Sequence, residues 1–327
     1  MVISTIGGEH YLTPEFLTYK DKNVYDFIIS RYNNVSFYAT GRDAIFRIVE
    51  VVRDRILWLP DFLCESIYKP LKKSGVAVKF YHVKDDFRDQ GTDKVRKTDF
   101  VYIINYFGLV DEALFRFENT IVDITHSFII FDNDFNYTGK ISICSLRKLL
   151  PIPDGALLAG YVKIEPTYEI RQSFVEKRTF GLLSRYYSYL NKFSSDENFY
   201  VLKEAEKLLD QSGTYGYSMS YLSQNLLKCV DFQQIAQKTK ENYDYLKMKL
   251  KKHYPGFSQY FPVVFSSREE RDNARQKLGK KGIFCPVHWD TSFLGVSNDL
   301  SDRIMSIPCD YRYGVSHTGK IINILGG

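Results

Sequence analysis

Several things are missing from this chain, and each absence removes a class of function. Its 327 residues hold no apolar run near the ~20 residues that cross a bilayer. The N-terminal stretch Met1–Glu9 lacks a basic region followed by a long apolar one, so neither a signal peptide nor a membrane span is expected. The five cysteines (Cys64, Cys144, Cys229, Cys285, Cys309) are widely spaced, with no CxxC pair and no Cys/His spacing suited to zinc. Reduced thiols in a cytoplasmic protein, and no metal, are the expectation. Lys and Arg exceed Asp and Glu by 44 − 39 = 5, an excess scattered along the chain. Without a dense basic stripe interleaved with aromatics, nucleic acid is a poor candidate partner. No internal repeat or low-complexity tract is visible. What the chain does have is aromatic residues, 25 Tyr and 24 Phe, enough for a well-packed interior.

From about residue 35 to 163 short apolar runs alternate with amphipathic ones. Val35–Ala39, Ile56–Leu59, Val76–Tyr81, Phe100–Ile104, Thr120–Ile124 and Ile141–Ser145 read as strands. Ala44–Val49 and Phe62–Lys73 read as helices, the second ending near Gly75. Such alternation predicts an α/β protein with a mostly parallel sheet between helices. From about Thr167 to His253 the pattern is strongly helical. The remainder (a strand at Tyr260–Phe265, a charged helix at Arg268–Leu278, a strand at Ile283–Val287 and a closing helix) has the pattern of a small α+β domain. The expected division is a large domain over 1–245, with a helical segment 166–252 leading out of it, and a small C-terminal domain over 246–327.

Three elements carry chemistry. Asp123 ends the buried run Thr120-Ile121-Val122-Asp123, Lys148 follows a later strand in Ser145-Leu146-Arg147-Lys148, and Thr40-Gly41-Arg42 opens a helix. Alone, each has an ordinary reading: a surface lysine, a capping aspartate, a glycine before a helix. In combination they match what a phosphate-bearing aldehyde cofactor needs. An amine can condense with the aldehyde, helix-terminal amides can hold the phosphate, and a carboxylate can keep a pyridine nitrogen protonated. The cofactor suggested is pyridoxal 5′-phosphate (PLP).

The segments Thr40–Ile45, Leu59–Phe62, Asn105–Gly108, Val122–Ser127, Ser145–Lys148 with Pro153–Gly155, Ser218–Ser220, Pro286–Trp289 and Ser306–Tyr313 occur in order over nearly the whole chain. Together they resemble the DegT/StrS-like sugar aminotransferases, PLP enzymes of fold type I. The resemblance implies that Lys148 holds the cofactor aldehyde and that Asp123 pairs with the ring nitrogen. It further implies His126 near the ring, Gly41 and Arg42 on the phosphate through backbone amides, and Ser145 as a hydroxyl donor. Asn105, His288 and Trp289 would border the substrate. Two features depart from the family. Where members stack an aromatic ring on the pyridine this chain has Cys64, with Phe62 nearby, and Ile143 stands where many members have a serine.

The resemblance implies a PLP-dependent aminotransferase moving an amino group, with glutamate the expected donor, to a nucleotide-linked keto sugar in surface polysaccharide or secondary-metabolite synthesis. It implies a homodimer as well. Two rival readings remain: a PLP-dependent lyase or racemase on the same fold, and a catalytically weakened subunit acting as a partner or regulator.

Overall fold

The computed structural model describes residues 5–109, 112–128, 140–191, 196–251, 256–296 and 298–326. Two compact units divide the chain, and both are discontinuous in sequence.

The first unit contains Glu9–Val51 and Ile141–Phe232. Its strands lie in the order Tyr168–Ile170, Tyr217–Ser218, Ser36–Tyr38, Ala156–Ala159, Ile141–Cys144. The first pair is parallel and the other three pairings are antiparallel. Ile141–Cys144 pairs antiparallel with Ala156–Ala159 across the connection 145–155, which carries a turn of 3-10 helix and ends in a turn at Gly155. Gly155 makes this turn possible with φ +145, a region in which an L side chain is strained; a Cβ there would also stand 2.8 Å from the Met219 side chain. The helices Gln172–Leu190 and Asp196–Ser212 pack on each other around Phe174, Ala205 and Leu209. The helical stretch expected over 166–252 is therefore broken in this unit by two short strands, Tyr168–Ile170 and Tyr217–Ser218. Neither strand exceeds three residues, too short for a period of two to register. Residues 252–255, at the end of that stretch, lie outside the described residues.

The second unit contains Thr5–Gly8, Val52–Lys140 and Gln233–Gly327. Its main sheet runs Thr120–Asp123, Phe100–Ile104, Leu57–Pro60, Val78–Val83, Asp89–Gln90, and all pairings are parallel except the last. Leu57–Pro60, Phe100–Ile104 and Thr120–Asp123 are buried at every position, which is why their centres read as apolar runs. Phe100–Ile104 was legible to its ends. The helix Glu65–Ser74 follows the Leu57–Pro60 strand and stops at Gly75, whose left-handed φ of 77 closes its last turn. A separate core forms around Tyr243, Leu246, Phe261, Leu278, Ile283, Met305, Ile307, Ile321 and Ile322. There Tyr260–Val264 pairs antiparallel with Ile304–Pro308, and Ile6–Gly7 pairs parallel with Ile283–Phe284. The segment 246–327 thus packs with an N-terminal strand inside this unit.

Among the described residues no helix is long and apolar enough to cross a membrane, and no group of His, Cys, Asp and Glu is arranged to hold a metal. No disulfide links the cysteines; burial pushes the Cys285 thiol up to about 12, so it does not ionise as a nucleophile.

Candidate functional site

In the first unit, Lys148 stands out by exposure. From 141 to 159 every residue is buried except Lys148. Leu146, Leu149, Leu150 and Ile152 are anchored in the core, and a turn of 3-10 helix over Leu146–Lys148 rotates the lysine outward. Backbone bonds hold that turn: Arg147 N–H donates to Gly155 O at 3.1 Å, and Lys148 N–H to Ser145 O at 3.2 Å. The Lys148 carbonyl lies 3.3 Å from His10 Nε2.

Arg147 points the other way, into a charge network. Its guanidinium donates to both carboxylate oxygens of Glu206, at 2.8 and 3.1 Å, and fully buried Arg178 reaches Glu9 at 3.1 Å and the Pro153 carbonyl at 3.2 Å. Arg42 donates to Asp210 at 2.8 Å and comes within 3.9 Å of Glu206. Burial works against the charge on Arg147, but Glu206 and Glu9 raise its pKa above the ordinary arginine value. Desolvation by the surrounding protein opposes ionisation of Glu9, although its side chain is 40% exposed, and Arg178 outweighs it, holding the carboxyl at about 2.

The helix Gly41–Val52 begins next to Ser145. A Cβ built on Gly41 would sit 3.5 Å from Ser145 Cβ and 3.7 Å from its Oγ. Absence of a side chain at Gly41 therefore keeps open a space bounded by a serine hydroxyl and a helix N-terminus. The first amides of a helix have no intrahelical acceptor and carry its positive dipole end. Asp43 pins the start of the helix: it accepts from Thr40 Oγ1 at 2.5 Å, from Arg171 at 3.0 Å and from Gly216 N–H at 3.0 Å. Since the Arg42 side chain is engaged with Asp210, only its backbone amide is available to a phosphate. The structure thus brings Gly41, Arg42 and Ser145 together.

In the second unit the remaining expected residues collect at the carboxyl ends of the parallel strands, the edge where open α/β sheets bind ligands. Asp123 ends its strand opposite Ile104, and Asn105 N–H donates to the Asp123 carbonyl at 2.9 Å. The Asp123 carboxylate is 8% exposed; Oδ1 accepts from Thr125 N–H at 2.9 Å and Oδ2 from the Tyr102 hydroxyl at 3.0 Å. Asn105 is fully buried, and neither its amide nitrogen nor its oxygen has a hydrogen-bond partner. A buried side-chain amide left unpaired costs about 1–3 kcal/mol.

His126, His288 and Trp289 form one cluster. Trp289 stacks on His126 with ring centroids 5.4 Å apart and planes 22° from parallel, His288 lies 5.5 Å from His126, and Phe107 packs on the same imidazole at 4.9 Å. His288 Nδ1 is 2.7 Å from Ser306 Oγ. Cys64 precedes the Glu65 helix, with its sulfur 3.0 Å from Ser66 Oγ. Phe62, its aromatic neighbour in sequence, is fully buried against Tyr106 and Trp289 and presents no open face.

Other motif residues turn out to be framework. Asp154 is buried and accepts from Ser220 N–H at 2.8 Å, from Ser220 Oγ at 2.6 Å and from the Ser223 hydroxyl, tying the 153–155 turn to the Tyr221–Leu227 helix. Desolvation raises its carboxyl pKa in spite of these donors. Arg312 holds Asp310 through two bonds, at 2.7 and 2.9 Å. The sequence reading did not single out Tyr102, Glu206 or Glu9; all lie in ordinary strand, helix or loop patterns with no motif around them.

The residue types PLP needs are present in each unit by itself: an exposed amine and a serine hydroxyl beside a helix N-terminus in the first, and a hydrogen-bonded carboxylate in the second. No family model matches the sequence, nor does any curated protein. Solved structures do match along nearly the full length. PseC from Helicobacter pylori, an aminotransferase involved in the biosynthesis of pseudoaminic acid, is 11% identical and covers 98% of this chain and 98% of its own, with a TM-score of 0.64. A sugar aminotransferase from Streptococcus pneumoniae, in its pyridoxamine phosphate form, is 12% identical over 98% of this chain and 91% of its own, at 0.61. A DegT/DnrJ/EryC1/StrS aminotransferase from Brucella abortus is 14% identical over 97% and 91%, at 0.62. These likenesses establish the fold, and the expected α/β architecture of fold type I is the one observed.

Proposed function

We propose that this protein is a PLP-dependent aminotransferase that moves an amino group from glutamate to a nucleotide-linked keto sugar. One observation carries the reading: Lys148 is the single exposed residue in a nineteen-residue buried stretch, 141–159. A lysine held that way has its backbone fixed and its amine available. The fold, the ordered motifs and the open space at Gly41 support the same conclusion.

In this reading the amides of Gly41 and Arg42 and the Ser145 hydroxyl hold the phosphate, and Asp123 pairs with the ring nitrogen. The cofactor supplies a ring that withdraws electrons from the reacting amino-acid carbon. Lys148 Nζ anchors the cofactor and, when released, carries the proton at the substrate carbon. Asn105, with a donor and an acceptor unfilled, takes a group offering both, and His126, His288 and Trp289 border the substrate. Cys64 stands beside the ring in place of a stacking aromatic. A cytoplasmic homodimer working in surface polysaccharide or secondary-metabolite synthesis completes the proposal.

The test is spectroscopic. Incubation with PLP should produce the visible absorbance of a lysine-bound cofactor, and Lys148→Ala should abolish it. Glutamate should then convert the bound cofactor to pyridoxamine phosphate, detectable by mass spectrometry. A lyase or racemase would give no such conversion, and a non-catalytic subunit would give none with any amino donor. An unchanged spectrum on adding PLP would sink the proposal.

A further inference from the structure

Tyr102 is the middle residue of the strand Phe100–Ile104, fully buried and paired opposite Ile121. Nothing about packing requires a hydroxyl there, since phenylalanine fills the same volume. The hydroxyl nevertheless has a partner, Oδ2 of Asp123 at 3.0 Å, while Oδ1 accepts from Thr125 N–H at 2.9 Å. The phenol O–H is the donor and the carboxylate oxygen the acceptor. Burial, with Asp123 beside it, pushes the Tyr102 phenol well above its ordinary pKa, so the donor stays protonated.

We propose that Tyr102 is a positioning residue for Asp123, fixing the plane of its carboxylate so that one oxygen lone pair stays directed at the cofactor ring nitrogen. This inference rests on the proposed role of Asp123. The two donors approach different oxygens, so rotation about the Cβ–Cγ bond strains both bonds at once. With Thr125 alone, a single hydrogen bond resists that rotation. The strand supplies the rigidity: Tyr102 cannot shift without breaking the parallel pairing to Thr120–Asp123, and its carbonyl is held by the Tyr81 hydroxyl at 2.9 Å.

The experiment is a double-mutant cycle read by equilibrium PLP affinity, with Tyr102→Phe and Asp123→Asn singly and together, and with apo melting curves recorded for each. Loss of one hydrogen bond to a charged group predicts about fivefold to tenfold weaker PLP binding in Tyr102→Phe. In the Asp123→Asn background the same change should leave affinity within about twofold, because the group that Tyr102 orients is no longer a carboxylate. Replacing Tyr102 with 4-aminophenylalanine, which keeps a donor at the para position, should restore binding toward the native value. Equal weakening in both backgrounds, or no weakening in the native one, overturns the inference and leaves the role of Asp123 standing. Native protein that does not bind PLP, or Asp123→Asn with unchanged affinity, removes the role of Asp123 and this inference with it.

Discussion

The surroundings of Lys148 in the first unit and the strand ends of the second handle polarity in opposite ways. In the first, charge is neutralised by charge: Arg42, Arg147 and Arg178 are gathered on Glu9, Glu206 and Asp210, and the single amine of the 141–159 stretch left in solvent is Lys148. In the second, the strand ends carry few charges, and the polar groups there are held by neutral donors and rings. Tyr102 and Thr125 serve Asp123, and Phe107, His288 and Trp289 surround His126. A paired charge network holds a framework still, whereas Asn105 keeps a side-chain donor and an acceptor unpaired.

Substitutions can break that contrast. The largest effect is expected from Glu206→Ala, which strips Arg147 of its bidentate partner and leaves a buried guanidinium uncompensated. A loss of about 3 kcal/mol in urea unfolding is expected, the low end for breaking a buried pair because Glu206 is partly exposed. In the second unit the sign reverses at Asn105. Asn105→Leu removes two unpaired polar atoms and should raise apo stability by about 1 kcal/mol while weakening ligand binding. Should stability fall instead, the site is not one held open at a cost. Trp289→Leu takes the stacked ring from His126 and should cost about 1 kcal/mol beyond the lost burial, measured by the same unfolding curves. Gly41→Ala places a methyl at ordinary contact distance from Ser145, so the melting temperature should move little, while PLP affinity should drop because the methyl occupies the phosphate space.

The smallest effect concerns pH. The carboxyl of Glu9 is held at about 2 in the folded protein against 4.5 for the free group. A depressed folded value means that its contribution is fully present above about 4.5 and disappears as pH falls through about 2. The side chain is 40% exposed, so solvent screening reduces the gain to a fraction of what the shift implies. Glu9→Gln should flatten the acid limb of a stability–pH profile over that window, lowering stability slightly at neutral pH and leaving it nearly unchanged below about 2.

Much of this could be read before any coordinates. Phe100–Ile104 and the Ile121-Val122 centre of the Thr120–Asp123 strand announce themselves because strands covered on both faces carry successive apolar side chains. Gly75 marks the end of a helix because few other residues adopt its backbone angles without strain. Ala156–Ala159 was not marked as a strand, although it is buried throughout, because four apolar residues after a turn fit a helix start equally well.

From the chain alone came the architecture, the strand-end carboxylate, the glycine-headed helix and the candidate lysine, since each depends on neighbours within a few residues. Only the tertiary structure decided that Lys148 is the one exposed side chain of its stretch, that Glu206 gathers three arginines and that Tyr102 holds Asp123. Those facts depend on which distant segments meet. Tyr102 and Asp123 are twenty-one residues apart, and no local pattern records that parallel pairing sets one hydroxyl beside one carboxylate.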